Sequence, residues 1–351
     1  MKKLFRIVSL ICVMALFSGC GLISESDKAV KKRETENSIV TVNGENVAKD
    51  IFYYYFYNSQ DEVLKEAGID SADSIPDDFW TTKKDGKTPL ETAKENALSD
   101  MIDDRLQYQK AKKEGITLTA DEKSSIQSQV AQIKQNQNML AQLSQMKIGV
   151  DYYEELMTES AYIQKLVSKY IKDGTIKVDE NEAKQALEKD YIKAKHILIS
   201  TVDTSTNQSL SDEEIAKKEA TANDVLAQIK AGGDFDELMN KYSEDPGLST
   251  APDGYVFTTG NMVQEFEDAA YALKPGEVSG LVKSSYGYHI IKREQLDLNG
   301  TQEKQYLENI EYNSAIPELK KLTEKWKANA SVKTNKKLLE SIEPTIVKNS
   351  N

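Results

Sequence analysis

From Ser38 the chain alternates apolar and polar positions. Ile39-Val40-Thr41-Val42 reads as a strand, Asn43-Gly44 as a tight turn, and Glu45-Asn46-Val47 as the returning strand. Ala48-Lys49-Asp50 then opens a helix that carries Ile51, Phe52, Tyr53, Tyr54, Tyr55, Phe56 and Tyr57. A helix with large residues on every side is either a core helix or a greasy surface for non-native polypeptide, and the two readings are compatible. Residues 88–173 are nearly free of Pro and Gly and read as several helices. Among them Thr119-Ala120-Asp121-Glu122 is a capping box. It opens one long helix with Ile126, Val130, Ile133, Leu140 and Leu143 on its apolar face, and the Gln/Asn-rich stretch 127–145 on its solvated face.

The period changes further on. Asp179-x-x-Glu182 caps a short helix ending near Asp190, and Lys195-His196-Ile197-Leu198-Ile199 is a strand. Asp212 to Lys230 is an amphipathic helix stopped by Ala231-Gly232-Gly233, with Ile215, Ala222, Val225, Leu226 and Ile229 as its buried stripe. A second helix covers Phe235 to Tyr242, a short strand Tyr255 to Phe257, and a third helix Phe266 to Leu273. Val278 to Val282 and Tyr288 to Lys292 read as strands. The order β-α-α-β-α-β-β predicts a compact α+β unit with its sheet on one side. From Thr301 a helical stripe returns (Tyr306, Leu307, Ile310, Ile316, Leu319, Leu322, Trp326), interrupted at Pro317. A lone amphipathic helix needs a partner, and the first module is the obvious one. The expected fold class is therefore α+β: an all-α discontinuous domain, 38–185 with C-terminal helices at 297–345, and an α+β domain inserted at 186–296.

Composition narrows the function. The 351 residues are 39% hydrophobic and 29% charged with net charge −12, which suits two or three domains and excludes both wholesale disorder and a multi-span membrane protein. The acidic balance argues against nucleic acid as a partner. Two Cys and two His exclude a disulfide framework and the usual zinc clusters, so no metal and no cofactor is expected. The N-terminus is an address. Lys2, Lys3 and Arg6 precede an apolar run, Ile7 to Phe17, too short to cross about 30 Å of hydrocarbon. It ends in Leu16-Phe17-Ser18-Gly19-Cys20, which resembles a bacterial lipoprotein signal with Phe17 in place of the usual Leu. That implies cleavage of residues 1–19, lipid attachment to Cys20, a polar tether over 20–37, and a cell-membrane location on the extracytoplasmic side. Loss of three positive charges takes the mature chain to −15, so acyl chains rather than charge would hold it to the membrane.

Both histidines fall inside the α+β unit, each before Ile in a predicted strand: Lys195-His196-Ile197 and Tyr288-His289-Ile290. A lone strand histidine is usually structural. Two in similar contexts, on strands that can be neighbours, can instead share a hydrogen bond with fixed tautomers and no charge.

At these residues the sequence resembles the parvulin-type peptidyl-prolyl isomerases. The matching segments are Ala194-Lys195-His196-Ile197-Leu198, Gly233-Asp234-Phe235, Tyr242 to Gly247, Gly260 to Ala270, Leu273 to Ser279 and Tyr286 to Lys292. The whole chain looks like an extracytoplasmic foldase lipoprotein of the PrsA type, with a helical chaperone domain similar to the N-terminal part of SurA. The resemblance implies isomerisation of Xaa-Pro bonds in unfolded or partly folded secreted polypeptides. It makes His196 and His289 the paired histidines, puts Asp245 where the family carries Cys or Asp, Met262 and Phe266 at the proline pocket, and Ser284 at the family's Thr/Ser position. The family's Gly-Gly-Asp-Leu-Gly loop is here Pro252 to Phe257, so Tyr255, Val256 or Phe257 fills the place of the pocket Leu; Phe257 is taken as substrate-binding. Met262 and Phe266 also fit plain core packing, since at i and i+4 they would share a helix face. The altered loop motivates a rival reading, a binding-only chaperone with an inactive isomerase unit. A solute-binding lipoprotein would need two α/β lobes, which the pattern lacks. The apolar faces of the helical domain leave a homodimer open.

Overall fold

The computed structural model describes residues 37–203, 206 and 208–346. The expected signal segment, Cys20 and nearly all of the tether lie outside the described residues. The chain divides into two compact units, one formed by residues up to 177 together with those from 315 onward, the other by 178–314.

In the first unit, β1 (Ser38–Val42) and β2 (Glu45–Ala48) form a hairpin. Asn43 and Gly44 turn it with φ of 50° and 87°. Positive φ at both central positions is the geometry that matches the twist of a two-residue hairpin. The aromatic run becomes α1 (Lys49–Glu66), whose Ile51, Phe52 and Phe56 are buried while Tyr53, Tyr54, Tyr55 and Tyr57 are half-buried. Thr88 and Glu91 form a reciprocal capping box at the start of α2 (Pro89–Lys113). Thr119 and Glu122 do the same for α3 (Ala120–Gln135).

The long helix expected from Thr119 onward is two helices. The chain leaves helical geometry at Asn136 (φ −98°, ψ 104°), whose side-chain oxygen accepts from the N–H groups of Asn138 and Met139 and starts α4 (Gln137–Gln145). Asparagine competes with the helix for its own backbone, and the apolar spacing alone did not reveal that break. The unit is completed by α5 (Val150–Lys172).

This unit is not all-α. Its three-stranded sheet runs β2-β1-β7, where β7 (Val332–Thr334) comes from the far end of the chain and pairs antiparallel with β1. The closure is reinforced by Lys94 donating to the Glu340 carbonyl (3.0 Å), by Trp80 donating to Ile346 (2.9 Å) and by the Lys327–Asp103 ion pair (2.7 Å).

The second unit begins earlier than expected, so that α6 (Glu180–Asp190) belongs to it rather than to the helical domain. Its sheet order is β4-β3-β6-β5, antiparallel throughout, from β3 (Ile192–Ser200), β4 (Tyr255–Phe257), β5 (Val282–Ser284) and β6 (Gly287–Glu294). The strand expected at 278–282 is displaced toward Ser284; Val278 makes an isolated bridge to Lys292.

Helices cover both faces of the sheet, not one. Ile197, Ile199, Tyr288 and Ile290 pack with residues of α7 (Asp212–Lys230) and α8 (Phe235–Tyr242). Ile192, Ala194 and Ile291 pack with Phe257 and with Phe266 and Ala270 of α9 (Gln264–Ala272). The helix α10 (Thr301–Lys327) runs through Pro317 without stopping. An internal proline forfeits a backbone bond and costs about 3 kcal/mol; burial of Ala315, Leu319 and Thr323 around it offsets that loss.

One buried cluster in the first unit has a consequence for stability. Arg105 on α2 donates to Glu155 (3.0 Å) and lies 2.9 Å from an oxygen of Glu159, both on α5. Glu159 is buried, and desolvation pushes its carboxyl well above the usual range, with the neighbouring Glu155 and Asp104 adding to the rise and Arg105 opposing it. The folded chain therefore keeps a proton that the unfolded chain releases above about 4.5, and stability falls as pH rises through the raised value. We expect the unfolding temperature of this unit to be lower at about pH 8 than at about pH 5, and Glu159→Gln to flatten that difference. Calorimetric scans at the two pH values check it; an unchanged slope in the variant contradicts it.

Candidate active site

Strand register brings the two imidazoles together. On β3 and β6, His196 sits opposite Ile291, and Leu198 opposite His289. The side-chain period of a strand is two, so His196 and His289 are diagonal neighbours on one face while Ile197 and Ile290 point to the other. Their Nδ1 atoms lie 3.1 Å apart and the rings stack with centroids 5.3 Å apart at 21°. Phe266 stands edge-on to both rings, at 5.1 and 5.5 Å.

Asp245 arrives from the turn after α8. There the chain is pinned to β3 by Leu198, whose N–H donates to Ser243 Oγ (3.1 Å) and whose carbonyl accepts from Glu244 N–H (2.8 Å). Asp245 Oδ2 lies 3.0 Å from His196 Nε2 and 2.6 Å from the Tyr255 hydroxyl, and Oδ1 accepts from Gly247 N–H (3.0 Å). Burial alone would raise its pKa; the hydrogen bonds from His196, Tyr255 and Gly247 prevail and hold it at about 2. Burial and the same bond to the carboxylate push the Tyr255 hydroxyl up, so it stays a donor. At the far end Ser284 Oγ lies 2.7 Å from His289 Nε2 and accepts from Tyr286 N–H (3.1 Å).

With no added proton on the imidazole pair, these contacts fit one arrangement. An ionised Asp245 can only accept, so His196 donates from Nε2. Its bare Nδ1 then accepts from His289 Nδ1–H, and the bare Nε2 of His289 accepts from the Ser284 hydroxyl. Burial, with the neighbouring His196 adding to it and Asp245 opposing, lowers the His289 pKa to about 4, which agrees with that assignment.

The apolar side departs from expectation in two ways. Met262 is not on the helix with Phe266: α9 starts at Gln264, and Met262 sits in the preceding turn. Glu267 holds that turn by accepting from Gly260 N–H (3.0 Å) and Met262 N–H (2.8 Å). Phe257, expected to bind substrate, is 1% exposed and packs against Phe266 within the same core cluster. Met262 and Tyr255 are half-buried and pack against the cluster that holds Phe266. A cavity of about 490 Å³ lined by Ile199, Lys217, Lys218, Lys241, Ser243 and Glu244 opens on the α7 side of the sheet, away from the imidazoles.

Two contributors were not anticipated as such. Tyr255, an expected apolar filler of the pocket, turns its hydroxyl to Asp245. Gln302, at the start of α10, donates to the Gly254 carbonyl (2.8 Å) and accepts from Val256 N–H (3.1 Å), fastening the segment that carries Tyr255. Nothing in local sequence marks Gln302, which is far from that segment along the chain. Among the described residues no cluster of His, Cys, Asp and Glu is arranged to hold a metal ion.

Residues 176–295 match the PPIC-type PPIase domain family. The Foldase protein PrsA of Caldanaerobacter subterraneus subsp. tengcongensis is 31% identical over 315 residues, 86% of this chain and 89% of that one. The Foldase protein PrsA 4 of Bacillus cereus is 50% identical over 80 residues, 22% of this chain and 28% of that one. The crystal structure of PrsA from Bacillus subtilis aligns with a TM-score of 0.40 at 25% identity, covering 73% of this chain and 93% of that one. With the long match to a foldase across nearly the full length of both chains, and the isomerase-domain match falling on the unit that unites the two histidines, the chain belongs to the PrsA foldase family and carries a parvulin-type peptidyl-prolyl cis-trans isomerase domain.

Proposed function

We propose that His196, His289 and Asp245 form the polar wall of the isomerase site, with Met262 and Phe266 gripping the proline ring and Ser284 fixing the outer histidine. The observation that carries this reading is the unbroken run of hydrogen bonds from Ser284 through His289 and His196 to Asp245. Rotation about a prolyl amide crosses a barrier of about 18–20 kcal/mol with no bond broken, so no nucleophile is required. The planar amide is polar, with negative charge on oxygen and positive charge on nitrogen; the twisted transition state loses that separation. An ionised carboxylate held beside the carbonyl destabilises the planar form more than the twisted one. A neutral histidine pair keeps that carboxylate fixed without placing a cation that would cancel it. A dry apolar surface on the ring side holds the proline while the preceding residue turns. About 4 kcal/mol of such differential binding gives a 10³-fold acceleration.

The segment ending in Gly19-Cys20 supports a lipid anchor at Cys20, with the chain on the outer side of the cell membrane and secreted polypeptides as clients. Among the described residues no helix is long and apolar enough to cross a membrane. The first unit, with its half-buried tyrosines along α1, would hold the unfolded client while the second turns its Xaa-Pro bonds. A homodimer of the first unit is compatible with this arrangement.

A protease-coupled assay on a short Xaa-Pro peptide tests the site. Asp245→Ala and His196→Ala should each lower kcat/KM about 10²-fold, while suppression of client aggregation persists. Full turnover in both variants removes the catalytic assignment, and absence of turnover in the parent chain favours the binding-only chaperone.

The ring nitrogens offer a second check. Because burial penalises the charged form of His289, the unfolded chain takes up protons near the ordinary value of 6.5 while the folded chain resists until about 4. Stability of this unit should therefore decline as pH falls between those values. Nitrogen-15 spectra at about pH 5.5 should show His289 neutral with its proton on Nδ1; a protonated ring there contradicts the relay.

A further inference from the structure

We infer that Tyr255 is a positioning residue of the isomerase site, acting on the substrate through Asp245. This rests on the reading of Asp245 as part of the catalytic wall.

Four features aim the Tyr255 hydroxyl. Its backbone is seated by sheet register, with Tyr255 opposite Ala194 on β3, two residues before His196. The peptide groups on either side are clamped by one side chain, since Gln302 bonds Gly254 and Val256. Gly254 itself has φ of +91°, and a Cβ there would stand 2.6 Å from the Ala194 carbonyl, so the tight entry into β4 demands glycine. Lastly, the hydroxyl passes over Gly247. A side-chain carbon at Gly247 would overlap the Tyr255 oxygen, and Gly247 N–H donates to the same carboxylate that the hydroxyl serves.

The consequence falls on one atom. Asp245 Oδ2 receives both His196 Nε2–H and the Tyr255 hydroxyl, the latter at 2.6 Å. A short hydroxyl-to-carboxylate bond of this kind is charge-assisted and stronger than a neutral one. Two donors on one oxygen fix the carboxylate's rotation and hold its charge in place, while Gly247 N–H takes the other oxygen. Without the hydroxyl, Asp245 keeps the histidine and the backbone bond, but Oδ2 loses its second and shortest donor and its charge is held less firmly. The titratable groups facing Asp245 are His196 from β3, Tyr255 from β4 and, one ring beyond, His289 from β6. The tyrosine thus does for this chain a task that its sheet edge and an unrelated helix prepare together.

The test uses the full chain, a short Xaa-Pro peptide and carbon-13 spectra of the Asp245 carboxyl. Tyr255→Phe keeps the ring and removes the donor. The expected result is an upward shift of the Asp245 titration midpoint by about one pH unit, with kcat lower by about tenfold and KM changed less than about twofold. Gly247→Ala should push the hydroxyl off Asp245 and reproduce both effects. Added to Tyr255→Phe it should cost little more, because the oxygen it displaces is already gone. An unmoved midpoint in Tyr255→Phe overturns the proposal, as do independent, multiplying effects of the two substitutions on kcat. If Asp245→Ala abolishes turnover while Tyr255→Phe moves nothing, the tyrosine's role fails alone. If Asp245→Ala leaves turnover intact, the catalytic reading fails, and the midpoint shift still decides whether Tyr255 governs Asp245.

Discussion

The pairing of β3 with β6 governs everything at the isomerase site. His196 and His289 can share a proton because the register sets them two positions out of step on the same face. A slip of one residue would send one imidazole into the α7 side, among Ile197, Ile199 and Ile290, and leave the other without a partner. The apolar residues that alternate with the histidines are what prevent the slip, since they fill the opposite core. The chemistry on one face is thus specified by packing on the other.

Charge at the site is concentrated at one end. Asp245 is held ionised by donors from three separate parts of the unit, whereas His289 is held neutral by burial. The two shifts have opposite physical origins, hydrogen bonding against desolvation, and together they give the relay a direction. Protons point from Ser284 toward Asp245 at each step. In the proposed site, the fixed negative charge of Asp245 suits a reaction whose ground state is more polar than its transition state.

The first unit obeys a different constraint. Its N-terminal hairpin is completed by a strand from the other end of the chain, so its core closes only after the isomerase unit has been traversed. Contacts such as Lys94 with Glu340 and Trp80 with Ile346 join positions more than two hundred residues apart. The aromatic run on α1 serves the core on one side, through Phe52 and Phe56, and leaves tyrosines half-buried on the other.

Most of the secondary structure was legible in local pattern. The Asn43-Gly44 turn, the capping box at Thr119 and the helices 212–230 and 235–242 follow from spacing and cap chemistry, which act within a few residues. The break at Asn136 was hidden because apolar spacing continued across it. The segments around His196, Asp245, Met262 and His289 resemble those of the parvulins, and that resemblance placed them in one isomerase unit. Assembly of the sheet settles which oxygen each ring meets, buries Phe257 against Phe266, and brings Tyr255 and Gln302 to Asp245 and its loop. Periodicity reports which face of an element is buried, but contacts between residues distant along the chain depend on register and packing, and those arise only when the sheet and its helices assemble.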